Sequence, residues 1–176
     1  MRKETRCLVI DAMLAALYFV LSLISIDLGS MKITLVGLPV IVCGLLYGPV
    51  DGFIVGILGS FFEQMLKFGF TATTVLWILP AGVRGLMMGL YALKCRGNFT
   101  RRGLTIMIVL SALAVTTVNT LVWYIDSRIY HYYTFEIVFG NALVRYATGI
   151  VTAIAFSIVT PFIISRLTAL RVKKNF

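Results

Sequence analysis

Two arginines, Arg84 and Arg145, stand inside stretches that are otherwise apolar enough to cross a bilayer, LWILPAGVRGLMMGLYAL and VFGNALVRYATGIVTAIAF. An arginine near the middle of a membrane helix costs about 2.5–3.5 kcal/mol on insertion scales, so the pair opposes insertion by roughly 5–7 kcal/mol unless something offsets it. Such residues face a polar cavity, a partner charge or an anionic ligand. The plainer alternative is two arginines that tie helix backbones or acids together.

Helical spacing collects further polar and aromatic groups around them. Asn141 and Arg145 are four residues apart, Asn119 and Trp123 are four apart, and Trp77 and Arg84 are seven apart, so each pair projects from one stripe of its helix. Glu63 and Gln64 close a neighbouring apolar run. Arginines, amides and a carboxylate converging with tryptophans form a pocket for a flat, polar, anionic molecule, with ring faces for stacking and fixed donors for orientation. The crowd of Trp123, Tyr124, Tyr130, His131, Tyr132 and Tyr133 also fits an aromatic belt at a membrane interface.

The elements that must carry these residues are membrane helices. The chain has 176 residues, of which 60% are hydrophobic and 13% charged, and a mean hydropathy of +0.97. Soluble domains average about 45–50% apolar and 25% charged residues. The expectation is an all-α integral membrane protein, one transmembrane domain over 1–176 with no separate soluble catalytic domain. Apolar segments at about 7–26, 35–49, 51–67, 72–93, 104–125 and 135–168 predict a compact bundle of six transmembrane helices. The second and third are short, and GLLYGPVDGF between them is a tight turn: Pro49 cannot continue the incoming helix.

Basic residues orient the bundle. With the N-terminus inside, Arg2, Lys3, Arg6, Lys94, Arg96, Arg101, Arg102, Arg166, Arg171, Lys173 and Lys174 fall on one side and only Lys32, Lys67 and Arg128 on the other. The excess of positive charge on cytoplasmic loops makes both termini cytoplasmic and the protein a multi-pass component of the cell membrane. The net charge of +9 needs no nucleic acid, because anionic inner-leaflet lipid neutralises it. MRKETR before an apolar run looks like a signal peptide, but no small-residue cleavage site follows, so it is read as a retained first helix.

Other chemistries find little footing. Cys7, Cys43 and Cys95 are widely spaced and specify neither a disulfide framework nor a metal site. His131 is the only histidine, so no metal or other cofactor is expected. No G-x-x-x-x-G-K-[ST], H-E-x-x-H or G-x-S-x-G occurs, and an enzyme is not expected. Ala12 and Ala16 are one helical turn apart, and small residues at that spacing let another helix approach closely, within the bundle or outside it. Gly48, Gly52, Gly56 and Gly59 give a glycine-lined face.

These residues carry a family resemblance. Six predicted helices in under 200 residues, the Ala12-x-x-x-Ala16 pair, and GLLYGPVDGFIVGILGSFFEQ, which is similar to G-x-L-x-G-P-x-x-G-x-x-V-G, resemble an S component, the membrane substrate-binding subunit of an energy-coupling factor (ECF) vitamin transporter. LPVIVCGLLYGPVDGFIVG and GFTATTVLWILPAGVRGL look most like its folate branch. The motif likeness covers about residues 8–95; the remainder follows by hydropathy. One departure bears on the vitamin: where the family stretch often carries a D-x-x-G-like pattern, this chain has Gly59-Ser60-Phe61-Phe62-Glu63.

The resemblance implies high-affinity vitamin binding from outside, docking on a transmembrane scaffold subunit through Ala12 and Ala16, and transport driven by two cytoplasmic ATPase subunits. Within it, Glu63, Trp77, Arg84, Asn119, Trp123, Asn141 and Arg145 are the substrate-binding candidates from position and chemistry. The arginines would meet a folate carboxylate, and the amides or Glu63 the pterin edge. Thiamine, riboflavin, pantothenate and biotin remain alternative substrates. A stand-alone secondary carrier would commonly show an internal repeat, and GLLYGPVDGF has no second copy.

Overall fold

On the first helix, α1 (Lys3–Leu23), the polar and apolar residues separate by face. Asp11, Ala15, Tyr18 and Ser22 recur every three to four residues and are all buried, whereas Leu8, Ala12, Met13, Ala16 and Leu17 are exposed. A helix shows this pattern when one stripe packs into a bundle and the other meets lipid or a partner. The computed structural model describes residues 3–24, 26–27, 32–140 and 142–173.

Five further helices follow: α2 (Gly37–Tyr47), α3 (Pro49–Phe68), α4 (Thr74–Cys95), α5 (Arg101–Ile129) and α6 (Ala142–Lys173), the last preceded by a π-helical turn, Glu136–Gly140. The six expected helices are all present. Among the described residues, three stretches are long and apolar enough to cross a membrane by length and composition: α4, α5, and Val138–Arg166, which takes in most of α6. At 11 residues α2 is about 16 Å long, half the hydrocarbon thickness of about 30 Å. The third helix is not short as expected, since it runs 20 residues from Pro49 at its first position. Helix α5 extends past its apolar segment, because hydropathy marks the bilayer while a polar first turn with a cap continues the helix beyond it, whereas α6 begins inside its segment, after the π-helical turn, and runs past it only at its C-terminal end. Thr100 caps α5 by accepting from Gly103 N at 3.2 Å.

A short antiparallel pair, β1 (Ile26–Asp27) and β2 (Lys32–Ile33), lies where the first helix was expected to continue to 26, with Ile26 opposite Ile33. β-branched residues at both positions favour extended pairing over a further helical turn.

Glycine decides how closely α2, α3 and α4 cross. A Cβ at Gly52 would lie 2.8 Å from both Gly44 Cα and Gly85 O, and one at Gly85 would meet the backbone of Gly52 and, at 2.9 Å, Phe53 N. Backbone packs on backbone there, as small residues allow where lipid supplies no hydrophobic drive. Gly56 and Gly59 belong to the same close-packed face, against Ala81 and the Tyr18 ring. Gly48 does not: with φ of 113° and open space around it, it makes the α2–α3 turn.

The apolar core sits toward the end where the chain enters and leaves. Ile41 and Leu45, Met88 and Ala92, Leu104 and Ile108, and Ile164 form one buried cluster there with Phe156 at its edge. The opposite end of the bundle is hollow.

Candidate functional site

The hollow is a cavity of about 590 Å³ between the C-terminal halves of α1, α3 and α5 and the N-terminal halves of α2, α4 and α6. That is within the range of small-molecule sites, about 300–1,000 Å³. Six of the seven candidates line it: Glu63, Trp77, Arg84, Asn119, Trp123 and Arg145. Asn141 lies outside the described residues. Trp77 and Arg84 on α4, and Asn119 and Trp123 on α5, share a wall as their spacing requires.

Arg84 reaches the cavity because α2 begins with a glycine. A Cβ at Gly37 would collide with Arg84 Nη1 and stand 2.6 Å from the Phe156 ring. The guanidinium carbon is 5.7 Å from the centroid of that ring. Arg145, two helices further along the chain on α6, rests on Trp123 with its guanidinium carbon 3.5 Å from the ring centroid. Trp123 in turn meets Trp77 edge to face, at 6.4 Å and 60°.

Among the described residues, three guanidinium nitrogens of these two arginines lack a polar partner. Arg84 Nε and Arg145 Nη1 and Nη2 are buried and make no hydrogen bond. Stacking on an aromatic face attracts a cation but does not satisfy in-plane N–H donors. Leaving such donors empty costs about 1–3 kcal/mol per group, more for charged ones. The one acid among the candidates does not offset them, because Glu63 Oε1 is 2.6 Å from Lys67 Nζ one turn along α3. Lys67 also donates to Ser22 O at 3.0 Å, which ties α3 to the end of α1. The candidate set therefore presents two uncompensated positive charges and one neutralised pair.

Several wall residues were not singled out from sequence. Thr148 and Thr152 continue the Arg145 face of α6, and Thr116 faces them from α5. Each donates its hydroxyl to a carbonyl one turn back, at 2.7, 2.8 and 2.9 Å, so each turns only acceptor capacity toward the cavity. Their i, i+4 spacing beside Arg145 was the available signal. Tyr18 from α1 and Phe156 from α6 are buried aromatics whose place depends on packing, with no local pattern to announce it.

The tyrosines of the α5–α6 connection stand apart from the cavity. Arg128 lies over the Tyr133 ring at 4.1 Å and the Tyr124 ring at 5.4 Å, an arrangement suited to the interfacial belt. Ala12 and Ala16 are on the exposed face of α1, outside the bundle's internal contacts.

Comparison with known proteins gives a consistent picture. A family model described as ECF transporter, substrate-specific component, matches residues 6–169. A solved structure of the S component of a bacterial ECF transporter superposes with a TM-score of 0.67 at 19% identity, covering 94% of this chain and 99% of that one. Among curated proteins, a UPF0397 protein of Streptococcus gordonii is 28% identical over 120 residues, 64% of this chain and 61% of that protein. A UPF0397 protein of Lactobacillus delbrueckii subsp. bulgaricus is 32% identical over 84 residues, 46% of this chain and 42% of that protein. The matched regions thus span less than two thirds of either relative.

Proposed function

The chain belongs to the substrate-specific components of ECF transporters, and from that premise we propose that its cavity binds an anionic vitamin, folate or a related pterin, for import. The observation that carries the reading is the set of buried, unpartnered guanidinium nitrogens of Arg84 and Arg145 in a cavity that also holds both tryptophans. A ligand carboxylate would take those in-plane donors while a flat heterocycle lies against Trp77 or Trp123. Asn119 and Asn141 supply amides for a pterin edge, and Glu63 a carboxylate if Lys67 releases it.

The whole of 1–176 acts in this reading as one substrate-binding unit that performs no chemistry of its own. The basic end of the bundle, with Lys94, Arg96, Arg101, Arg102 and Arg166, lies in the cytoplasm together with both termini, so the cavity faces outward. The exposed Ala12 and Ala16 on α1 are the contact for a transmembrane scaffold subunit, and two cytoplasmic ATPases drive release.

A thermal-shift screen of detergent-purified protein against folates, pterins, thiamine, riboflavin, pantothenate and biotin tests the ligand. A ligand that binds only the folded state stabilises it by RT ln(1 + [L]/Kd), about 4 kcal/mol at a thousand-fold excess over Kd. Folic acid should give the large shift. A shift confined to thiamine or riboflavin, which bring no carboxylate, would overturn the anionic reading and leave family membership intact.

A further inference from the structure

Asp126 is a buried carboxylate, 8% exposed, near the end of α5 and outside the cavity wall. It accepts hydrogen bonds from neutral donors in two other parts of the chain. Thr73 Oγ1 at 2.5 Å and Trp77 Nε1 at 3.3 Å share one oxygen, and the Tyr132 hydroxyl takes the other. No cation pairs with it among the described residues, where the one ion pair is Glu63–Lys67. A buried carboxylate is tolerated without a counter-ion only where donors converge on it, and here three do.

Those donors are not scattered. Thr73 and Trp77 flank the first turn of α4, and Tyr132 lies in the α5–α6 connection. Trp77 has a single hydrogen-bond donor, and Asp126 occupies it, so that indole offers the cavity only its faces and edge. Its edge-to-face partner, Trp123, is three residues before Asp126 on the same helix, and Trp123 carries Arg145 on its face. One carboxylate thus sits behind the row Trp77, Trp123, Arg145.

We propose that Asp126 is a positioning residue of the ligand cavity: it holds Trp77 in one orientation through the indole N–H, so that the two tryptophans form a fixed wall under Arg145, and through Tyr132 it fastens the α5–α6 connection to the start of α4. The inference rests on reading the cavity as a ligand site. A purely structural staple would predict lower stability in Asp126 variants with ligand affinity unchanged in the folded fraction.

Trp77 and Trp123 are the only tryptophans in the chain, so a proton–nitrogen correlation spectrum of the detergent-solubilised full chain holds two indole cross-peaks, assigned with Trp77→Phe. Asp126→Asn keeps an acceptor but removes its charge; it should move the Trp77 peak, leave the Trp123 peak nearly in place, and keep folic acid affinity within about threefold. Asp126→Leu removes the acceptor, should bring rapid solvent exchange of the Trp77 indole proton, and should weaken folic acid binding by about tenfold or more. Tyr132→Phe should leave the Trp77 peak in place and speed folic acid dissociation. A Trp77 peak that does not move in Asp126→Asn overturns the proposal even if Asp126→Leu fails to fold. Equal folic acid affinity and dissociation rate in every folded variant overturns it too. If the unsubstituted protein does not bind folic acid, the folate reading fails, while the indole peaks still decide whether Asp126 positions Trp77.

Discussion

Arg145 sits over Trp123, its guanidinium carbon 3.5 Å from the ring centroid, while Nη1 and Nη2 remain buried without a hydrogen-bond partner. Contact with the ring does not satisfy those N–H donors, which are then free to receive a planar carboxylate. Arg84 repeats the theme against Phe156 at 5.7 Å, with an empty Nε. Arg84→Met or Arg145→Met should therefore fold and insert normally, since a buried uncompensated charge is removed, but lose about 2–5 kcal/mol of ligand binding. That is roughly thirty-fold to several-thousand-fold in Kd, and lysine should rescue poorly because it lacks the fork. Titration calorimetry with folic acid on monodisperse variants reads this directly, and unchanged affinity in both would remove the arginines from the ligand contact.

Gly37 should behave as a ligand-site residue although it has no side chain. Its missing Cβ leaves room for Arg84 Nη1 and the Phe156 ring edge. Gly37→Ala is expected to preserve helix content, displace the arginine end, and reproduce a milder form of the Arg84→Met affinity loss, about tenfold or less. A double variant with Arg84→Met should then bind no worse than Arg84→Met alone. Additive losses would show that Gly37 acts elsewhere.

Much of this arrangement was legible from sequence because the anomalies were local. A charge in an apolar run stands out, and helical spacing put Trp77 with Arg84 and Asn119 with Trp123 on shared walls of the cavity. Asp126 was not legible. In WYIDSRIYHYY it resembles an acid at the polar end of a membrane helix, and its partners Thr73 and Trp77 lie about fifty residues away in the chain. Gly37 escaped for the same reason, since the arginine it accommodates belongs to another helix. The Glu63–Lys67 pair, by contrast, has ordinary i, i+4 spacing and could have been read in advance.

That pair makes Glu63 separable from the arginines. If its carboxylate serves mainly to neutralise Lys67, then Glu63→Gln frees an ammonium near an already positive cavity, and an anionic ligand should bind as well or up to several-fold better at low salt. If Glu63 accepts hydrogen bonds from the ligand, the same change should weaken binding at every ionic strength. Folic acid affinities measured at two salt concentrations distinguish the cases.

Docking should be independent of all of this. Ala12 and Ala16 are exposed on α1, on the side opposite the buried Asp11, Ala15, Tyr18 and Ser22. The Ala12→Trp, Ala16→Trp double variant should co-purify poorly with its scaffold and abolish uptake, with ligand affinity nearly unchanged, because bulk at a small-residue face prevents close helix approach. Normal assembly and transport in that variant would sink the docking assignment.

Tyr132 gives the site a test by pH. The residue is 39% exposed, but its phenol is pushed up from the usual 10.0 to about 12, first by partial desolvation of the hydroxyl and then by the hydrogen bond to Asp126, whose negative charge further disfavours the phenolate. A group whose folded pKa is raised stabilises the fold fully below its unfolded value and loses that contribution as pH climbs through the folded one. The Tyr132–Asp126 contact should accordingly be intact throughout the neutral range and fail only between about pH 10 and 12. An ultraviolet difference titration between the native chain and Tyr132→Phe isolates this tyrosine from the other seven of the chain's eight. The difference curve should have its midpoint near the upper end of that window, and the ligand dissociation rate of the native protein should rise toward that of Tyr132→Phe over the same interval. A midpoint at the ordinary phenol value would mean that Tyr132 does not hold Asp126 in solution.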